Sequence, residues 1–80
     1  MRLPHDISPK ELIKLLGHFG HKLSQQKGSH IRVTTQESGQ HHLTIPNHNP
    51  LKIGTLSAIL SAVADHFKLS KEEVIQKLFS

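Results

Sequence analysis

Lys27-Gly28-Ser29-His30 sets an imidazole directly after a cation, a flexible glycine and a hydroxyl. Imidazole both takes and returns a proton near neutral pH. These residue types in a row suit cleavage of an RNA phosphodiester. That reaction needs a base for the ribose 2′-hydroxyl, donors for the charge growing on the phosphorus oxygens, and an acid for the departing 5′-oxygen. In this scheme His30 is the base or the acid, Ser29 and the backbone amides around Gly28 hold the phosphate, and Lys27, Arg32 and Lys52 offset its charge. Attack by the 2′-hydroxyl calls for neither metal nor cofactor and spares DNA. The competing reading of His30 is an ordinary solvated histidine at a strand end, because short motifs also match by accident.

Two-step proton transfer benefits from a second titrating group. His48, in Ile45-Pro46-Asn47-His48, is the nearest candidate for a second acid or base, and His42 is a weaker one. A turn histidine that bonds its own loop is the alternative for His48. Lys52 stands just before Gly54-Thr55 at the head of a helix, where free amides favour phosphate, so Lys52 and Thr55 are further phosphate-binding candidates. Eight histidines also raise a metal-binding reading, with His41, His42, His48 and His30 as ligands. His41 and His42 are adjacent on a strand and must point to opposite faces, so no metal site is expected.

The elements that must position these residues follow from periodicity. Ser8-Pro9-Lys10-Glu11 opens a helix, with Ser8 as cap, Pro9 in the first turn and Glu11 completing a capping box. Leu12, Ile13, Leu15, Leu16 and Phe19 form its apolar stripe, and Gly17 to Gly20 end it, with His18 and His21 finishing the helix. Lys22 to Gln26 reads as a first strand with Leu23 and Gln25 on one face, followed by a tight turn at Lys27-Gly28-Ser29. His30 to Thr35 alternates clearly: Ile31 and Val33 point inward, and His30, Arg32 and Thr34 outward. Gln36 to Gln40 is a hairpin loop, and His41 to Pro46 is a third strand with Leu43 and Ile45 inward and His42 and Thr44 outward. Pairing Val33 with Leu43 and Ile31 with Ile45 keeps apolar residues together. That register sets Arg32 opposite Thr44 and His30 opposite Pro46. A second helix is expected to begin near Thr55 and to carry Leu56, Ile59, Leu60, Val63, Ala64 and Phe67. Ser70 with Glu73 caps a last helix bearing Val74, Ile75, Leu78 and Phe79, which packs on the core or meets a partner.

The predicted order is α-β-β-β-α with an additional C-terminal helix: an α+β two-layer sandwich, one sheet face covered by helices and the other open. Eighty residues allow a single domain over 1–80. Without cysteine there are no disulfides, thiolate metal sites or thiol nucleophiles. No apolar run reaches the roughly 20 residues of a membrane helix. The opening Met1-Arg2-Leu3-Pro4-His5-Asp6 lacks the apolar stretch of a secretory signal, so a cytoplasmic protein without membrane contact is expected. Ten Lys plus Arg against six Asp plus Glu give a net charge of +4, which favours a polyanionic partner such as RNA.

With its motifs in this order, the chain resembles HicA-type toxins, the mRNA interferases of the YcfA family. The resemblance is carried by the Ser8 to Leu16 helix, Lys27-Gly28-Ser29-His30, Pro46-Asn47-His48 and Lys52-Ile53-Gly54-Thr55-Leu56, and it spans roughly Ile7 to Phe67. It implies a double-stranded-RNA-binding-domain-like fold, endoribonuclease activity toward mRNA, a catalytic histidine at His30, and a HicB-type antitoxin as protein partner. The alternative is a non-catalytic RNA-binding module of the same fold.

Overall fold

The computed structural model describes Leu3 and residues 6–79. The signal-peptide reading of Met1, Arg2, Pro4 and His5 therefore lies outside the described residues. Helix α1 (Pro9–Leu16) starts at the predicted cap: the Glu11 amide donates to Ser8 Oγ at 3.1 Å, and the Ser8 amide to the Glu11 carboxylate at 3.4 Å. These bonds satisfy two amides that a helix start otherwise leaves without partners. One 3-10 turn, Gly17–Phe19, extends the helix and closes at Gly20 with φ 81°. That φ strains any residue with a side chain, so glycine is favoured here, and a Cβ would also have to push the flexible Glu37 carboxylate aside.

Strands β1 (Lys22–Lys27), β2 (His30–Thr35) and β3 (His41–Pro46) form one antiparallel sheet in the order β1-β2-β3. The β2–β3 register is the predicted one: Val33 pairs with Leu43, Ile31 with Ile45, Arg32 with Thr44 and His30 with Pro46. Burial drives it, because a one-residue slip of β3 would move Leu43 and Ile45 from the core to water and bring His42 and Thr44 inward. Gly28, at φ 58°, supplies the positive φ that the two-residue β1–β2 turn needs at its first position. Strand β1 departs from the expected parity. Its register shifts between Leu23 and Gln25, so Leu23 sits opposite Val33 while Gln25 sits opposite Arg32, and the two do not share a face. The bulge is cheap here, since β1 is an edge strand exposed along its whole length and no core contact holds its alternation.

Helix α2 (Ile53–Phe67) begins two residues before the expected start at Thr55. Lys52 is the extended cap residue, and its carbonyl accepts the Leu56 amide at 2.9 Å. Gly54 is thus inside the first turn, where amide groups lack intrahelical partners anyway and a glycine weakens little. Helix α3 (Lys71–Phe79) opens on the Ser70–Glu73 capping box, and its Val74, Ile75 and Leu78 are buried in the common core. The last helix therefore packs on the fold.

All three helices lie on one side of the sheet. Leu12, Leu16, Leu56, Leu60, Val63 and Val74 meet Val33 and Ile45 in one apolar cluster. Each such side chain contributes about 1.5–3 kcal/mol on burial. The result is the α+β, α-β-β-β-α arrangement with a C-terminal helix, in keeping with a double-stranded-RNA-binding-like fold. Along β2 and β3, His30, Arg32, His42 and Thr44 are exposed on the opposite face, with Thr34 half-buried among them. Among the described residues no helix is long and apolar enough to cross a membrane.

Candidate nucleic-acid interface

His30 is the first residue of β2 and stands exposed in an open hollow of about 500 Å³, bounded by Lys27, Gly28, Ser29 and Arg32 together with Gln25 and Thr44. That size falls within the roughly 300–1,000 Å³ of small-ligand sites. Strand parity puts Arg32 beside His30 on the same face, and the β1–β2 turn folds Lys27, Gly28 and Ser29 over the strand end. The Asn47 amide donates to the Ser29 carbonyl at 2.7 Å, which ties this turn to the exit of β3. The arrangement offers an imidazole, two cations and a hydroxyl around one space. Those are the groups that bind a phosphodiester and move a proton beside it.

The remaining predicted residues gather elsewhere. His48, Lys52 and Thr55, with Pro46 and Leu51, surround a smaller neighbouring hollow at the head of α2. His48 Nδ1 donates to the Pro50 carbonyl at 3.1 Å, the bond within its own loop, and its ring does not line the His30 hollow. Lys52 and Thr55 stand at a helix start that has no side-chain cap bond. The two hollows share no lining residue, although Pro46, which lines the second, is the strand partner of His30. Sequence reasoning missed Gln25, because the bulge turns it outward; Thr44 was open to discovery from its register with Arg32.

Farther along the open face, Ser24, Thr34 and His42 form a chain. Ser24 Oγ donates to the Arg32 carbonyl at 3.1 Å, Ser24 Oγ and Thr34 Oγ1 are 2.8 Å apart, and Thr34 Oγ1 is 2.7 Å from His42 Nδ1. Three further histidines occupy the opposite side of the sheet. His21 is only 3% exposed, so it does more than finish the helix: its Nδ1 donates to the Leu16 carbonyl at 3.3 Å, while Nε2 is buried without a partner. His41 stacks on His66 with ring centroids 4.3 Å apart, and His66 Nε2 donates to the Glu37 and Gly39 carbonyls at 3.0 and 3.1 Å. Burial pulls the pKa of both His21 and His41 below the usual imidazole range, and the neighbouring His66 pulls in the same direction. The ligands of the metal reading are dispersed, with His41 toward the helices, His42 bonded to Thr34, His48 in its loop and His30 in its own hollow. Among the described residues no three histidine, aspartate or glutamate side chains gather as a metal site requires.

Comparison with known proteins is consistent with this geometry. The family described as the HicA toxin of bacterial toxin-antitoxin systems matches residues 9–64, from the first helical residue through most of α2. No curated protein and no solved structure matches the chain significantly. The match spans α1, the sheet, the Gly28-Ser29-His30 turn and the head of α2, and the chain belongs to the HicA toxin family of bacterial toxin-antitoxin systems.

Proposed function

We propose that the chain is a metal-independent endoribonuclease that cleaves mRNA, with His30 as general acid and base, and that a HicB-type antitoxin is its inhibitor in the cytoplasm. The observation that carries this reading is the exposed His30 imidazole in a hollow bounded by Lys27, Arg32 and the Gly28-Ser29 turn. RNA fits the hollow as a phosphodiester whose oxygens meet the Ser29 hydroxyl and the two cations. His30 takes the 2′-hydroxyl proton, the 2′-oxygen bonds to phosphorus, and the bond to the 5′-oxygen breaks. The 5′-oxygen takes up the proton that His30 accepted, relayed through solvent, which leaves His30 neutral and gives a 2′,3′-cyclic phosphate and a 5′-hydroxyl end. Lys52 and the first-turn amides of α2 hold a phosphate farther along the strand.

The test is incubation of wild type and His30→Ala with RNA in excess chelator, followed by end analysis of the products. Wild type is expected to release cyclic phosphate ends and the variant to lose cleavage by at least about a hundredfold, the lower range for a general acid–base group. Equal cleavage by both defeats the role of His30, and RNA binding without cleavage by either points to a binding module. Comparing His48→Ala with wild type decides whether that second imidazole takes part; an unchanged rate removes it.

A further inference from the structure

We propose that the open sheet face carries a base-reading subsite beside the His30 hollow, built on His42 held by Thr34 and Ser24, which selects an unpaired RNA base one or two nucleotides from the cleaved bond. The proposal rests on the RNA reading of that face. A second hollow of about 570 Å³ is lined by Lys22, Ser24, Thr34, Gln40 and His42, and it shares Gln25 and Arg32 with the hollow around His30. An RNA strand lying along β2 therefore passes from one to the other without leaving the protein surface. His30 and Thr34 are four strand residues apart, about 13 Å along the sheet.

Proton counting fixes the direction of the hydrogen-bond chain. Ser24 has one hydroxyl hydrogen and gives it to the Arg32 carbonyl, so within the chain it can only accept from Thr34. Thr34 then has no hydrogen left and must accept from His42 Nδ1. The neutral ring is thus held as one tautomer, with Nε2 as an acceptor away from Thr34. The β1 bulge makes this possible: Ser24 is the residue skipped in the register between Leu23 and Gln25, and its hydroxyl reaches the outward-facing Thr34. Bulges re-aim side chains next to functional sites, and an edge strand with no core duty can hold one at little cost.

Lys22 and Arg32 can meet the phosphates of a strand on this face, and the rest of the lining suits a base. Carboxamides from Gln25, Gln36 and Gln40 carry paired donors and acceptors, and Glu37 adds a carboxylate that repels phosphate but accepts from base amino groups. Histidine and arginine planes also stack on unpaired bases. Ser24, Thr34 and His42 are tied to one another and lie outside the apolar core, so the chain is not needed to fill the fold.

The experiment measures binding of short 2′-O-methyl RNAs, which cannot be cleaved through the 2′-oxygen, in sets that differ by one base at each position in turn. Fluorescence anisotropy gives Kd for wild type, His42→Ala, Thr34→Val and Thr34→Ser. At one position wild type is expected to spread by roughly tenfold across the four bases, about one stacking or hydrogen-bonding contact. His42→Ala and Thr34→Val should bring that spread to about twofold or less, while Thr34→Ser, which keeps the hydroxyl, retains it. A general structural role would shift all four bases together. No spread in wild type, or the same spread in His42→Ala, overturns the subsite. Because no cleavage is needed, base-selective binding by a protein that does not cut RNA would separate failure of the nuclease mechanism from failure of the subsite.

Discussion

Replacing Thr35 by valine isolates one polar link inside the core. Thr35 is fully buried; its hydroxyl donates to the Phe19 carbonyl at 2.8 Å and accepts from the Glu37 amide at 3.1 Å. Through this side chain the end of β2 holds the 3-10 turn that leads into β1. Valine has nearly the same shape, so no cavity opens and the change is confined to the two hydrogen bonds. The buried Phe19 carbonyl loses an acceptor bond at about 1–3 kcal/mol, whereas the Glu37 amide lies nearer the surface and recovers part of its loss from water. The better strand preference and apolar surface of valine offset a few tenths. The net expectation is about 2 kcal/mol, or a fall in Tm of about 8–16 °C for a domain of this size. Total stability at this length is about 4–12 kcal/mol, so the variant stays folded at room temperature. Thermal melts and urea titrations followed by circular dichroism measure the loss, with Thr35→Ser as the control that keeps the hydroxyl. A Tm within about 2 °C of wild type, or an equal loss in Thr35→Ser, refutes the assignment to these hydrogen bonds. RNA cleavage well below the melt should be unchanged, because Thr35 faces away from His30.

Three other outcomes are expected. Burial lowers the pKa of His21, opposed by the Leu16 hydrogen bond and Glu37 and reinforced by His41 and His66. Burial with His66 and His42 lowers that of His41. The unfolded chain then binds more protons than the native one below the ordinary value of 6.5. Stability is therefore intact above that pH and declines as the pH falls beneath it. The urea midpoint should drop between about pH 7.5 and pH 5 and drop less in His21→Phe; a midpoint that does not move contradicts the burial argument. Ser8→Ala removes the α1 cap and should cost about 1 kcal/mol in urea denaturation, and an unchanged midpoint would show that the capping box carries no weight. RNA affinity should fall as salt rises, and Lys52→Ala should reduce the log–log slope by about one; an identical slope removes Lys52 from the phosphate contacts.

Much of this architecture was legible wherever burial enforces a period. Ile31, Val33, Leu43 and Ile45 alternate strictly, so they set the register and with it the outward placement of His30 and Arg32. Ser8 and Ser70 marked helix starts because each has a glutamate three residues on. Strand β1 has only Leu23 as an apolar residue, and that side chain is 56% exposed, so nothing in Lys22–Lys27 announces a bulge or the outward turn of Gln25. His21, His41 and His66 come from three elements far apart in sequence, and only the packed fold brings them together. His48 was placed near His30 by register alone. Its bond to Pro50 belongs to a local loop geometry that strand parity does not describe.

The separation between the two faces of the sheet also has a genetic consequence. His30 and Arg32 contribute nothing to the apolar cluster, whereas Ile31 and Val33, their neighbours in the chain, are part of it. Under the proposed mechanism, one codon therefore separates a change that disarms the toxin from a change that unfolds it. Alleles altered at His30 or Arg32 are expected to yield soluble protein at wild-type abundance, while polar changes at Ile31 or Val33 are expected to be cleared by proteolysis. Under the proposed pairing, silenced toxin genes of the first kind would keep supplying folded protein for an antitoxin to bind.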